Sequence, residues 1–203
     1  MKKLVVIITT CVLLGSATTA ALAAGDPNAG RYKSVTCAAC HGIDGNSTVS
    51  AYPKLAGQGA DYLIKQLLEY KSGARFNPIM LGMVATLSIQ DIEDLSAYFS
   101  SQHVTHAASE KTLALQGKAL FRGGNLNSGV AACAACHGVV GVGNNVAKFP
   151  SVAGQHSEYL EIQLKAFRAM ERINDTSQMM RNIVAKMTDT EIKAVSSYIQ
   201  GLQ

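Results

Sequence analysis

Apolar side chains recur at three- and four-residue steps through much of this 203-residue chain, the pattern of helices with one buried face. Residues 60–72 carry Tyr62, Leu63, Gln66, Leu67 and Tyr70 at that spacing. Ser88 with Asp91 resembles a capping box, and it predicts a helix that turns Ile92, Leu95, Tyr98 and Phe99 inward. Thr188 with Glu191 repeats the device ahead of Ile192, Val195, Ile199 and Leu202. Asp26-Pro27 reads as the cap and first residue of a further helix, one expected to run on into residues 37–41. Gly117 and Phe121 suit a close helix crossing. No segment alternates convincingly as a strand would, so the pattern predicts an all-α fold.

The same pattern occurs twice. Pro53-Lys54-Leu55-Ala56-Gly57-Gln58 matches Pro150-Ser151-Val152-Ala153-Gly154-Gln155. Residues 62–67 match 159–164, Ile79-Met80 matches Met179-Met180, and Ser96-Ala97-Tyr98-Phe99 matches Ser196-Ser197-Tyr198-Ile199. The offset drifts only from 96 to 100 residues, which marks a tandem duplication. The join falls in the polar stretch Ser101–Ser109. The expected units are 24–105 and 110–203.

Within the repeat sits the chemistry. Cys37-Ala38-Ala39-Cys40-His41 recurs as Cys133-Ala134-Ala135-Cys136-His137, each followed by Gly. Helical residues three apart share a face, so both thiols of a pair reach the vinyl groups of one porphyrin, and the adjacent imidazole comes under the ring. C-x-x-C-H is the attachment signature of haem c. Two copies predict two covalently bound haem c groups, held by Cys37, Cys40, Cys133 and Cys136, with His41 and His137 on the irons. A thioredoxin-like redox pair leaves the adjacent histidine unexplained in both copies. A zinc site made from two C-x-x-C pairs has about 12–20 residues between them, whereas 92 lie between Cys40 and Cys133. Structural disulfides, which an oxidising compartment permits, are the third alternative.

What fills the sixth iron position separates a carrier from a catalyst. Aligning the repeats leaves one methionine pair, Met80 with Met180. Met83, Met179 and Met187 remain as alternatives, and any of these side chains can equally pack as core. A Met/His pair favours ferrous iron and leaves no vacant site for oxygen or peroxide. Ligating histidines usually donate their other ring N–H to an acceptor. The carbonyls of Pro53 and Pro150, 12 and 13 residues beyond His41 and His137, are candidates beside an ordinary turn role. His103, His106 and His156 read as surface residues. Arg75 and Arg181, near the methionine segments, suit either haem propionates or solvent.

Composition narrows the setting. Trp is absent and aromatics are only 6%, thin for a core, and units of about 80–90 residues need support that a large apolar cofactor supplies. Lys2 and Lys3, the apolar run Leu4 to Leu14 broken only by Thr9 and Thr10, and Ala21-Leu22-Ala23 read as a signal peptide over 1–23. The mature chain then begins at Ala24. An uncleaved anchor is the rival reading, but the run is far short of the roughly 20 residues that span a bilayer. Cys11 lies inside it, and Thr10 is a poor residue ahead of a lipidation site. Residues 24–109 carry six basic and seven acidic side chains (−1), and residues 110–203 carry ten and seven (+3). Such halves can orient docking. No basic stripe suits nucleic acid.

Two CAACHG units, P-x-L-A-G-Q followed by Y-L-x-K-Q-L, N-P-I-M-x-G-M and the closing S-S-Y-I-Q-G-L make the chain resemble the di-haem cytochrome c4 family over nearly all of its mature length. The resemblance implies a tandem pair of class I cytochrome c domains, each wrapping one covalent haem. It implies His41 and His137 as proximal ligands, Met80 and Met180 as distal ligands, and Pro53 and Pro150 as the proximal carbonyls. It further implies a periplasmic, monomeric, loosely membrane-associated carrier, transiently docking membrane-bound respiratory complexes and feeding a terminal oxidase. A di-haem peroxidase-like or sulfur-compound oxidoreductase with one open haem is the competing reading. A subunit docked permanently in a larger complex is the third.

Overall fold

The structure, a computed structural model, describes residues 25–203; the expected signal peptide lies outside the described residues. The first half contains α1 (Pro27–Lys33), α2 (Val35–His41), α3 (Ala60–Ser72), α4 (Pro78–Val84) and α5 (Ile89–Ser100). The second contains α6 (Lys111–Gly123), α7 (Ala134–His137), α8 (Ser157–Arg168), a 3₁₀ turn (Thr176–Gln178), α9 (Met179–Val184) and α10 (Asp189–Gln200). Extended pairing among the described residues is limited to two isolated bridges, Asn125 with Val130 and Asn144 with Phe149. Among the described residues the fold is all-α, a tandem pair of units with matching helix order.

Local chemistry sets the helix ends. Asp26 accepts the Asn28 N–H at 2.8 Å, with Pro27 at the first helical position. Both capping boxes form, Ser88 with Asp91 and Thr188 with Glu191; a cap of this kind contributes about 1 kcal/mol. One expectation needs correcting. The first helix does not run unbroken into the cysteine motif: the chain turns at Ser34, whose Oγ donates to Arg31 O at 2.8 Å, and α2 starts afresh.

In each half the first helix crosses the last, α1 on α5 and α6 on α10. The crossings are close because glycine sits at both. A Cβ on Gly30 would lie 2.0 Å from Asp94 O, and one on Gly117 would lie 2.0 Å from Ala194 O. Ile92, Leu95, Tyr98 and Phe99 are buried as expected, and so are Ile192, Val195, Ile199 and Leu202. The apolar cluster of the second half also gathers Phe121, Val130, Leu160, Phe167, Val184 and Met187. That of the first half is smaller, built on Leu63, Leu95, Tyr98 and Phe99.

Candidate functional site

Helix α2 carries Cys37, Cys40 and His41 together. In the second half α7 is one turn long, but Cys133 already has helical backbone angles, so Cys136 and His137 follow in the same arrangement. A loop then returns beneath each motif. Gly45 O accepts the N–H groups of Leu55 and Ala56 at 2.7 and 3.2 Å, and Gly141 O accepts those of Val152 and Ala153 at 2.7 and 3.1 Å. These bonds place Pro53 O 2.9 Å from His41 Nδ1 and Pro150 O 2.9 Å from His137 Nδ1. A carbonyl only accepts, so Nδ1 carries the proton and Nε2 keeps its lone pair. Burial lowers both histidine pKa values, outweighing the carbonyl bonds that raise them. Each imidazole is therefore neutral, oriented and able to bind a metal.

The eight predicted site residues line one cavity of about 670 Å³: Cys37, Cys40, His41 and Met80 from the first half, Cys133, Cys136, His137 and Met180 from the second. Met80 and Met180 occupy matched places in α4 and α9, each four residues before a buried valine, Val84 or Val184. Asn77 caps α4 by accepting the Met80 N–H at 3.0 Å. Met83 and Met179 also line the cavity but are more exposed, and Met187 belongs to the apolar core. Burial raises the thiol pKa of Cys37 and pushes that of Cys133 up to about 11, the reverse of a nucleophilic redox pair. The four cysteines form no disulfide. Among the described residues no three His, Cys, Asp or Glu side chains converge as a zinc site would require. Paired thiols, a tethered neutral imidazole and a thioether facing an apolar space fit haem c in each half.

The two halves meet over a polar junction whose contacts are exchanged in matching pairs. Arg75 donates to Gln66 of its own half at 2.7 Å, and to Tyr159 OH and Gln163 of the other at 3.1 and 2.9 Å. Arg172 donates to Gln163 at 2.8 Å, and to Tyr62 OH and Gln66 at 3.0 and 3.1 Å. Each guanidinium also lies over an aromatic ring, Arg75 on Tyr70 and Arg172 on Phe167. Burial opposes the Arg75 charge, but the oxygens of Tyr159, Tyr62 and Tyr70 more than offset it and hold its pKa above the ordinary value.

Arg75 and Arg181 were each expected at haem propionates or in solvent. In the structure Arg75 lies in the junction, where its repeat counterpart is Arg172, 97 residues on, and Arg181 is tied to Asp175 at 2.6 Å. Neither is a solvated charge. Arg172 was legible from the repeat offset, since Tyr70 with Phe167 carries the same spacing. His156 also departs from its expected surface role. It stands at the start of α8 without capping it through its side chain, and makes a 2.8 Å hydrogen bond through Nε2 to Ser47 O of the other half.

Comparison with known proteins agrees with this geometry. The sequence family described as Cytochrome c matches residues 30–103 and again 114–203. Cytochrome c4 of Stutzerimonas stutzeri is 49% identical over 190 residues, covering 89% of this chain and 90% of that one. The crystal structure of reduced recombinant cytochrome c4 from Pseudomonas stutzeri superposes with a TM-score of 0.86 at 48% identity, covering 89% of this chain and all of that one. A protein of Stutzerimonas stutzeri strain A1501 named as a thiosulfate dehydrogenase electron acceptor is more distant, 37% identical over 83% of this chain and 79% of its own length. These likenesses span both repeats, and the chain therefore belongs to the di-haem cytochrome c4 family, as an electron-transfer cytochrome with two covalently bound haem c groups.

Proposed function

We propose that the protein is a carrier of single electrons and not an enzyme. It works in the periplasm after removal of residues 1–23, as a monomer, passing electrons between membrane-bound respiratory complexes towards a terminal oxidase. In this reading His41 with Met80, and His137 with Met180, are the axial ligands of the two irons. One observation carries the proposal: each half brings a tethered neutral imidazole and a matched methionine to the same cavity.

When bound, each haem supplies a one-electron ferric–ferrous couple. The chain's residues set the terms on which that couple works. The Pro53 and Pro150 carbonyls fix the imidazole orientation, and a soft thioether opposite favours the ferrous state. If His41 with Met80 and His137 with Met180 hold the irons, the protein's own side chains would leave substrates no open coordination site. A di-haem enzyme would need one haem with an exchangeable or missing sixth ligand, and a matched methionine in each half argues against it. The relative named as an electron acceptor of thiosulfate dehydrogenase supports the carrier role and adds sulfur-compound dehydrogenases to the donor classes. Among the described residues no helix is long and apolar enough to cross a membrane, so loose association would rest on surface contacts. The unequal charges of the halves would orient docking.

Near-infrared absorption of the oxidised protein tests the ligand assignment. The native protein should show methionine-to-ferric-iron charge-transfer intensity from both sites. M80A should remove the contribution of the first half and M180A that of the second, while M83A and M179A leave both. Native protein without these bands would refute the Met/His assignment.

A further inference from the structure

The halves also exchange one glutamine each, and each glutamine ends on the peptide group that holds the other half's histidine. Gln155 Oε1 accepts the Lys54 N–H at 2.8 Å, and its Nε2 donates to Lys54 O at 2.9 Å. Gln58 Oε1 accepts the Ser151 N–H at 2.8 Å, and its Nε2 donates to Ser151 O at 2.8 Å. The Lys54 N–H belongs to the same amide as the Pro53 carbonyl, and the Ser151 N–H to the same amide as Pro150. A hydrogen-bonded chain therefore crosses the junction twice. It runs from Gln155 Oε1 through the Pro53–Lys54 amide to His41 Nδ1, and from Gln58 Oε1 through the Pro150–Ser151 amide to His137 Nδ1.

The orientation of both side-chain amides is fixed. Each Oε1 takes a second N–H, from Gly59 at 2.9 Å or His156 at 3.1 Å, so oxygen and nitrogen cannot exchange places without losing donors. Both glutamines are buried at 7% exposure, so water does not compete for these groups. Hydrogen bonds in such a chain polarise one another. A peptide group that donates its N–H to glutamine becomes a better acceptor at its carbonyl. The imidazole N–H then donates more strongly, the ring becomes a more basic ligand, and the ferric state gains.

We propose that Gln155 tunes the redox site of His41 and Gln58 that of His137. Each is a positioning residue acting from the opposite half. The inference rests on the reading that these histidines ligate the irons. It differs from simple adhesion of the domains in one respect: the effect of each glutamine falls on the other half's haem.

The experiment is a redox titration of the intact holoprotein in which NMR of the haem methyl resonances follows each haem separately. Q155L should raise the midpoint of the His41 haem by about three- to tenfold in its reduction equilibrium (~30–60 mV for one electron) and leave the His137 haem nearly unmoved. Q58L should do the reverse. The Nδ1–H resonance of the affected histidine should shift in the reduced protein. A shift in the glutamine's own half, equal shifts in both, or none at all would overturn the proposal. If leucine unseats the halves, Q155E still offers an acceptor to Lys54 N–H, now charged, and the His41 midpoint should fall; a rise or no change would count against tuning. Absent shifts with histidine-ligated spectra intact overturn this inference alone, whereas native spectra without histidine ligation overturn the ligand assignment and the inference together.

Discussion

Lys33 reaches two carboxylates in the first half, Asp91 and Asp94, each at 2.6 Å. Asp94 is buried and also accepts the Asp26 N–H at 2.8 Å, so one side chain joins the start of α1 to α5. The positions equivalent to Lys33 and Asp94 in the second half are Leu120 and Ala194, both buried, while Asp91 keeps an acidic counterpart in Glu191. The ion pair between Lys33 and Asp94 thus has no counterpart at the second crossing, where both positions are apolar. The bond from Lys33 holds the Asp94 carboxyl below the usual range despite burial, and the bonds from Asp91 and Asp94 raise Lys33. A depressed carboxylate contributes stability that is present above its unfolded value of about 3.9 and is lost as pH falls through the lower folded value. The lysine's contribution is present below about 10.4 and is lost as pH rises through its raised folded value. D94N should lower stability at pH 7 and flatten its fall below about pH 4, as read from thermal unfolding across that range. An acid limb as steep as the native one would contradict this account of Asp94.

Helix packing explains why the element pattern was legible. Residues 60–72 form α3 with the bounds the spacing predicts, and both capping boxes start their helices, because periodicity and end chemistry are local properties. The turn at Ser34 was missed because no glycine or proline marks it. Gly30 was missed although Gly117 was noted, since the offset between the first helices is 87 residues and not 96 to 100. Both glycines admit a carbonyl of the crossing helix, so G30A and G117A should each destabilise the protein by about 1–3 kcal/mol through overpacking. Gly123, at the exposed end of α6, meets nothing within 4 Å. G123A should be neutral or stabilising by up to about 1 kcal/mol. Chemical denaturation compares the three, and equal effects at all of them would remove the close-crossing argument.

At the scale of the whole molecule, the junction is what the chain alone did not disclose. Its residues are polar: Gln58, Gln66, Arg75, Gln155, Gln163 and Arg172. Periodicity assigns such residues to a face but not to a partner, and here the partner lies about one repeat away. The haem motifs were legible because cysteine and histidine carry their chemistry in their spacing. The proline carbonyls stood beside an ordinary turn role until the family resemblance favoured them, and the structure places both at hydrogen-bonding distance. The glutamine exchange was hidden because its two ends lie 93 and 101 residues apart.

The central claim is that each iron is closed on both sides by the protein's own side chains, so that electrons pass and ligands do not. Carbon monoxide added to the fully reduced protein at neutral pH tests it most directly. The account predicts an unchanged Soret spectrum for both haems. Rapid stoichiometric binding at either one would reveal an open site and contradict it.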